Sequence, residues 1–230
     1  MTDLKLPSAM AELRPALGEI VTQGQGQAPY FTTLLSSKHG FIITVDNREE
    51  RVIERPPSAG TVLSVFDGQT MYERAVGGFD RREVQQAARE LVQGKSFARF
   101  AESESQRSGD FATSMRIDPA DLSIREKLDR CRELHGRIKG RDPRIVNVQV
   151  RYIEAGEHAV FASQSADLAQ RIQRVNLFVV VIVAGEDGQV QYDWRSKSGG
   201  AGWEVLNFTD EEIQSLVDSA VALLSAERIE

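Results

Sequence analysis

The chain has 230 residues, 41% of them hydrophobic and 27% charged, with a net charge of −6. This is the balance of an ordinary globular protein, long enough to bury one large core or two small ones. It argues against a basic nucleic-acid-reading face, and no apolar run approaches the ~18 residues that a membrane helix needs.

The start, MTDLKLPSAM, has no basic segment leading into an apolar one, so it does not read as a signal peptide. Cys131 is the single cysteine, which excludes an internal disulfide and fits a reducing cytoplasm. In chain order, Leu13, Leu17, Ile20 and Val21 form a narrow helical stripe. Pro15 fits a helix beginning near Arg14, and Gly24 and Gly26 end it. Strands are expected at about 29–37, 41–46 and 50–55, stopped by Pro56 and Pro57. Thr61–Phe66 and Gln69–Val76 flank the hairpin turn Asp67-Gly68. A helix then opens at Phe79-Asp80-Arg81-Arg82-Glu83-Val84, with Val84, Ala87, Ala88, Leu91 and Val92 on its apolar face. Its first residues read as a capping box, Asp80 with Glu83, and a hydrophobic staple, Phe79 with Val84.

From 94 to 118 the periodicity dissolves, and an irregular connector is expected. A helix resumes after Asp118-Pro119 or Ser123, with Ser123 and Glu126 as a further capping box and Ile124, Leu128, Cys131 and Leu134 as its buried stripe. Cys131 therefore reads as a core residue rather than a nucleophile. Val146, Val148, Val150 and Tyr152 alternate with polar residues as a half-buried strand; Glu154–Glu157 turns it and Ala159–Ser163 returns. Leu177–Ala184 reads as a central strand covered on both faces, and Asp187-Gly188 turns it into Val190, Tyr192 and Trp194. A glycine-rich interruption, Ser196–Gly202, precedes Phe208-Thr209-Asp210-Glu211-Glu212-Ile213, the same box and staple again. The helix that follows buries Ile213, Leu216, Val217, Ala220, Val221 and Leu224. The fold class is therefore α+β. Two strands-then-helix units, about 10–93 and 119–226, are expected to form a mixed or largely antiparallel sheet with helices packed on it. The second copy carries nine more residues between hairpin turn and helix than the first.

Chemistry is sparse. His39, His135 and His158 are each followed by Gly or Ala and start no helical metal motif, so they read as exposed or capping residues. The basic stretch Arg137, Lys139, Arg141 and Arg144 reads as a solvated connector. No G-x-S-x-G elbow is present. Ser198, Gly199, Gly200, Ala201 and Gly202 lack the Lys-Ser/Thr ending of a phosphate loop and read as a flexible hairpin loop. Trp194 and Trp203 flank it, and core packing is expected of at least Trp194. The candidate binding segment is thus Ser198, Gly199, Gly200, Gly202 and Trp203, with no catalytic or metal-ligating residue.

The passage Ala59-Gly60-Thr61-Val62-Leu63-Ser64-Val65-Phe66-Asp67-Gly68, running through Phe79-Asp80 into an Ala-rich helix, resembles the N-terminal domain of the TldD/PmbA family, also called the modulator-of-DNA-gyrase family. Val148–Tyr152, Phe161-Ala162-Ser163, Leu177–Ala184 and a helix closing on Leu224-Ser225-Ala226 extend the likeness over about 10–230. The resemblance implies cytoplasmic zinc-dependent peptidases that trim unfolded or leader peptides as homodimers or as heterodimers of two paralogues. Their zinc motif, H-E-x-x-x-D or H-E-x-x-x-H, lies downstream of this region in a C-terminal catalytic domain, and this chain has no such motif. The expectation is a truncated or excised non-catalytic domain that shapes the peptide path and contributes to assembly. Zinc is expected only in the full-length parent. The expected partners are a homologous subunit, the chain's own catalytic domain and unfolded peptide, with no nucleic acid or membrane. The competing expectation is a stand-alone scaffold module that has lost the catalytic half.

Overall fold

A computed structural model describes residues 4–25, 28–97 and 105–226. Its helices are α1 (Ser8–Gln25), α2 (Arg81–Val92), α3 (Ile124–Lys139) and α4 (Asp210–Ala222). The strands are β1 (Tyr30–Val45), β2 (Glu50–Glu54), β3 (Ser58–Phe66), β4 (Met71–Gly77), β5 (Arg107–Ala112), β6 (Ile145–Ala162), β7 (Ala166–Ala184) and β8 (Val190–Gly199). Hydrogen-bonded neighbours run β4-β3-β1-β6-β7-β5, with β2 also on β1 and β8 also on β7. The fold is α+β, helices packed on an open sheet. β5 pairs with β7 in parallel, whereas β1–β2, β1–β3, β3–β4 and β7–β8 are antiparallel.

Two compact units divide the chain, and neither is continuous in sequence. The first takes Met1–His39, Pro56–Thr113 and Gly156–Ile172; the second takes Gly40–Arg55, Ser114–Ala155 and Gln173–Glu230. Each has its own core. In the first, α1 contributes Leu13, Leu17, Ile20 and Val21, and α2 contributes Val84, Ala87, Leu91 and Val92, around Phe31, Leu35, Leu63 and Val65. In the second, Cys131, Leu134 and Ile138 of α3 and Ile213, Leu216, Val217 and Ala220 of α4 pack with alternate residues of β6 and β7. Burying each large aliphatic side chain contributes roughly 1.5–3 kcal/mol, so these stripes hold the helices in place.

Local rules account for both hairpins. Gly68 and Gly188 take positive φ (103° and 82°), and Asp67 and Asp187 accept backbone N–H groups from the residues that follow. Both staples form: Phe79 packs on the core that holds Val84, and Phe208 shares one with Ile213. The boxes differ. Thr209 with Glu212 and Ser123 with Glu126 are reciprocal, whereas Asp80 accepts from Arg82 and Glu83 N–H groups with no return bond from Glu83.

Several expectations are corrected. Helix α1 begins at Ser8, so Pro15 lies inside it; burial of Met10 one turn earlier outweighs the hydrogen bond proline cannot make. Strand β1 runs through Gly40, whose absent side chain is required because a Cβ there would lie 2.3 Å from the Glu154 carbonyl oxygen. Likewise β6 continues through 154–157, where a turn is expected from the sequence. That continuation buries His158, whose ring stacks on the exposed His39 at 5.8 Å. Strand β7 is buried on alternate residues only, so the helices cover one of its faces and not both. Within the connector expected at 94–118, residues 107–112 form β5, and 98–104 lie outside the described residues. Ile124 is exposed and Lys127 takes its place in the buried stripe of α3.

Candidate functional site

Chemistry in the second unit gathers around the nine-residue excess after β8. Ser198 pairs with Asn176 and Gly199 with Val175 at the end of the β7–β8 ladder. The chain turns at Gly200 and Ala201, and Gly202 opens a short 3-10 helix, Trp203–Leu206. Glycine is obligatory at 202: a Cβ would lie 2.1 Å from the Ile117 carbonyl oxygen. The Trp203 N–H donates to that oxygen at 2.9 Å, and the Glu204 carboxylate accepts the N–H groups of Ile117 (3.0 Å) and Gly202 (3.3 Å). Burial, the largest single influence, would raise the Glu204 carboxyl. Bonds from the backbone N–H groups of Glu204, Ile117, Arg116 and Gly202 together outweigh it and hold the group below the usual carboxylate range. The segment is a pinned corner, not the flexible loop expected from sequence.

The core packing expected of Trp194 is corrected: Trp203 takes it instead. Trp194 is 49% exposed on the helix-free face of β8, packing on Phe178 at 5.1 Å. Trp203 is buried, because the pinned corner turns it inward. Its indole lies 4.6 Å from the Tyr152 ring, which lies 5.9 Å from Phe41. Cations cover both ends of this aromatic row, Arg130 over Trp203 at 5.1 Å and Lys127 over Phe41 at 4.3 Å.

Beneath the row is a buried charge pair that sequence reasoning missed. Lys127 Nζ donates to Glu154 Oε2 at 2.7 Å, with both side chains 3% exposed. The Tyr152 hydroxyl donates to the same oxygen at 2.7 Å. Burial, then the Glu154 charge and this hydrogen bond, push the Tyr152 hydroxyl above its ordinary value, so it stays a donor. The signal was available: Glu154 follows Tyr152 by two residues on the inward face of β6, and Lys127 precedes Cys131 by one helical turn.

Above the row opens a cavity of about 350 Å³, lined chiefly by Arg130, Glu133 and Arg137 of α3, Leu177 of β7, and Trp203 and Phe208. Arg137 is engaged by the Phe208 carbonyl and Asp210 (both 3.1 Å), and Arg141 also binds Asp210. Arg144 binds Asp142. The basic stretch therefore meets carboxylates rather than solvent alone. Of the candidate residues Ser198, Gly199, Gly200, Gly202 and Trp203, only Trp203 reaches this cavity; the others build the corner that aims it.

The side chains present do not fit a zinc centre. His135 Nε2 is engaged with Asn47 Oδ1 at 2.9 Å, and the buried Cys131 thiol is pushed up to about 12, far from the thiolate a metal requires. Among the described residues no three His, Cys, Asp or Glu side chains converge on a metal position.

Residues 117–227, from the start of this site to beyond α4, match the family model of the PmbA/TldA metallopeptidase central domain. This match places residues 117–227 in the TldD/PmbA family. Thus the segment grouped with an N-terminal domain from sequence carries the family's central-domain pattern. No curated protein matches the sequence. Among solved structures, a candidate modulator of DNA gyrase from Bacteroides thetaiotaomicron aligns with TM-score 0.68 at 14% identity, over 97% of this chain and 52% of that one. A second, from Thermotoga maritima, aligns with TM-score 0.69 at 15% identity, over 92% and 49%. TldE from Thermococcus kodakarensis aligns with TM-score 0.56 at 12% identity, over 90% and 46%. At these identities the likeness establishes a shared fold. The chain spans about half the length of these structures. No helix among the described residues is long and apolar enough to cross a membrane.

Proposed function

We propose that this TldD/PmbA chain is the non-catalytic part of a zinc-dependent peptidase and that it presents unfolded or leader peptides to a catalytic domain carried elsewhere. The reading places that peptidase in the cytoplasm and supplies its zinc from the remainder of a longer parent protein. A homologous subunit completes the assembly.

One observation carries the peptide role. Strand β2 is exposed along its whole length, and among the described residues β1 is its only ladder partner. Val52 and Ile53 are 41% and 46% exposed there, and Pro56-Pro57 stops the strand. An extended peptide can add to such an edge through backbone hydrogen bonds, with little demand on its sequence. The opposite edge is less available. At Trp194 of β8, the Asp193 carboxylate accepts the backbone N–H and Arg195 donates to the carbonyl. The exposed Val190, Tyr192 and Trp194 of β8 instead supply an apolar face suited to a homologous subunit.

Hydrogen exchange of the purified chain tests the reading. A saturating unfolded, proline-free peptide should slow exchange in residues 50–54, and N-methylation of alternate peptide residues should abolish the effect. Unchanged exchange in 50–54 would count against the peptide role.

A further inference from the structure

The cavity above Trp203 has a charge pattern that the edge-strand role does not use. Its floor is apolar: Leu134, Leu177, Trp203, Leu206 and Phe208 are all buried. Its rim holds two arginines with different commitments. Arg137 is bonded to Phe208 and Asp210. The Arg130 guanidinium has no hydrogen bond among the described residues; it lies on the Trp203 face, with the Glu126 charge one turn away. Stacking holds a guanidinium flat while leaving its N–H edge free for a planar acceptor.

We infer that this cavity is a binding site for the C-terminal residue of a peptide, taking a large apolar side chain on its floor and the terminal carboxylate on Arg130. The inference rests on the peptide-presenting reading and names the end of the chain that is held. Arg130 offers a fork of parallel N–H groups that matches a carboxylate. Glu133, on the same rim, opposes a phosphate dianion. The cavity volume of about 350 Å³ is near the lower bound for ligand sites and suits one residue rather than a nucleotide or flavin. The pinned Gly202 corner and the Tyr152 ring fix Trp203 before any ligand arrives, so little ordering remains to oppose binding.

The test uses Trp203 fluorescence in the full chain carrying Trp194→Phe, which removes the second indole without touching the cavity. N-acetyl-Leu-Phe should quench Trp203 with an affinity at least about tenfold above that of its C-terminal amide, as expected for loss of one charge-assisted pair. Arg130→Gln should erase the preference for acid over amide, while Arg130→Lys, which keeps the charge and loses the fork, should retain part of it. Thermal melting of each variant confirms that the fold persists. Equal binding of acid and amide, or an unchanged preference in Arg130→Gln, overturns the inference. Free phenylalanine binding as tightly as the dipeptide also overturns it, in favour of an amino-acid site. If the acid binds through Arg130 while long unfolded peptides leave residues 50–54 unprotected, the edge-strand reading fails and this site stands. Protection at 50–54 without dipeptide binding gives the reverse.

Discussion

The two units are built from the same parts and finish them differently. Each has an Asp-Gly hairpin leading to a stapled, capped helix, and each has a second helix preceding its strands. In the first unit the hairpin meets its helix after a short link, Asp80 alone caps α2, and the charged side chain buried among the described residues is Arg171. In the second unit the link is nine residues longer and folds into the Gly202 corner. The box on α4 is complete, and an ion pair lies under the aromatic row. The shared parts hold helices on strands. The additions shape a cavity and position a tryptophan and an arginine beside it.

The largest effect should come from splitting the buried pair. Lys127→Met leaves the Glu154 carboxylate buried without its cation, and breaking such a pair typically costs about 3–5 kcal/mol. Pairing it with Glu154→Leu should recover part of that loss, because an apolar pair of similar volume is often neutral while the buried Tyr152 hydroxyl loses its acceptor. Urea unfolding of the three variants checks this. Additive losses in the double variant would mean that the two side chains are not coupled.

Next comes the corner. Gly202→Ala forces a methyl group against the Ile117 carbonyl and should cost about 1–3 kcal/mol, as overpacking usually does. Gly200→Ala is the control: its Cβ meets nothing nearer than the Gln173 carbonyl at 3.9 Å, and the change should stay within about 0.5 kcal/mol. If the two substitutions cost the same, the corner is not held by close approach.

What the sequence displayed and what it hid divide along the same line. Hairpin turns and helix starts are legible because Asp-Gly and the stapled caps act within a few residues. Strand length is not. Gly40 looks like a break, yet it is a close approach to the Glu154 carbonyl, set by a residue more than a hundred positions away. Strand β5, Arg-Ser-Gly-Asp-Phe-Ala, shows no alternation, and its parallel partner begins at Ala166. Lys127 lies one helical turn before Cys131, but only the fold brings Glu154 of β6 to it. Nor does alternation along β8 say which face the helices cover, which is why Trp194, expected in the core, is exposed. The cavity itself combines α3, β7 and the corner, and no local window contains all of them.

The helix starts sharpen the comparison at a smaller scale. Thr209→Ala and Asp80→Ala should each cost about 1 kcal/mol, the usual value of an N-cap. Their third helical residues should separate them. Glu212→Ala removes both the return bond to the Thr209 N–H and the contact with Lys197, whereas Glu83→Ala should stay within about 0.5 kcal/mol because Glu83 returns no bond. Equal losses at 83 and 212 in thermal unfolding would erase the distinction between the two starts.

The smallest expected effect is a pH slope confined to the second unit. Burial, and then the charge of Lys139, hold His135 below its ordinary value; Asp46 and Glu50 oppose this only in part. The unfolded chain therefore binds a proton at about pH 6.5 while the folded His135 still resists it. Between the folded value and about 6.5 the unfolded state carries more protons, so stability rises with pH across that window. It is fully present above about 6.5 and diminishes as pH falls through the window. His135→Gln retains an amide to meet Asn47 and does not titrate, so its stability should change less between pH 7.5 and 5.5 than that of the parent chain. Asp46 and Glu50 are themselves held below ordinary carboxylate values, so their own contributions are full above the unfolded carboxylate value of about 4 and are lost below it, under the interval from pH 7.5 to 5.5. Identical slopes in the parent and His135→Gln, measured by urea unfolding at the two pH values, would remove His135 as the source.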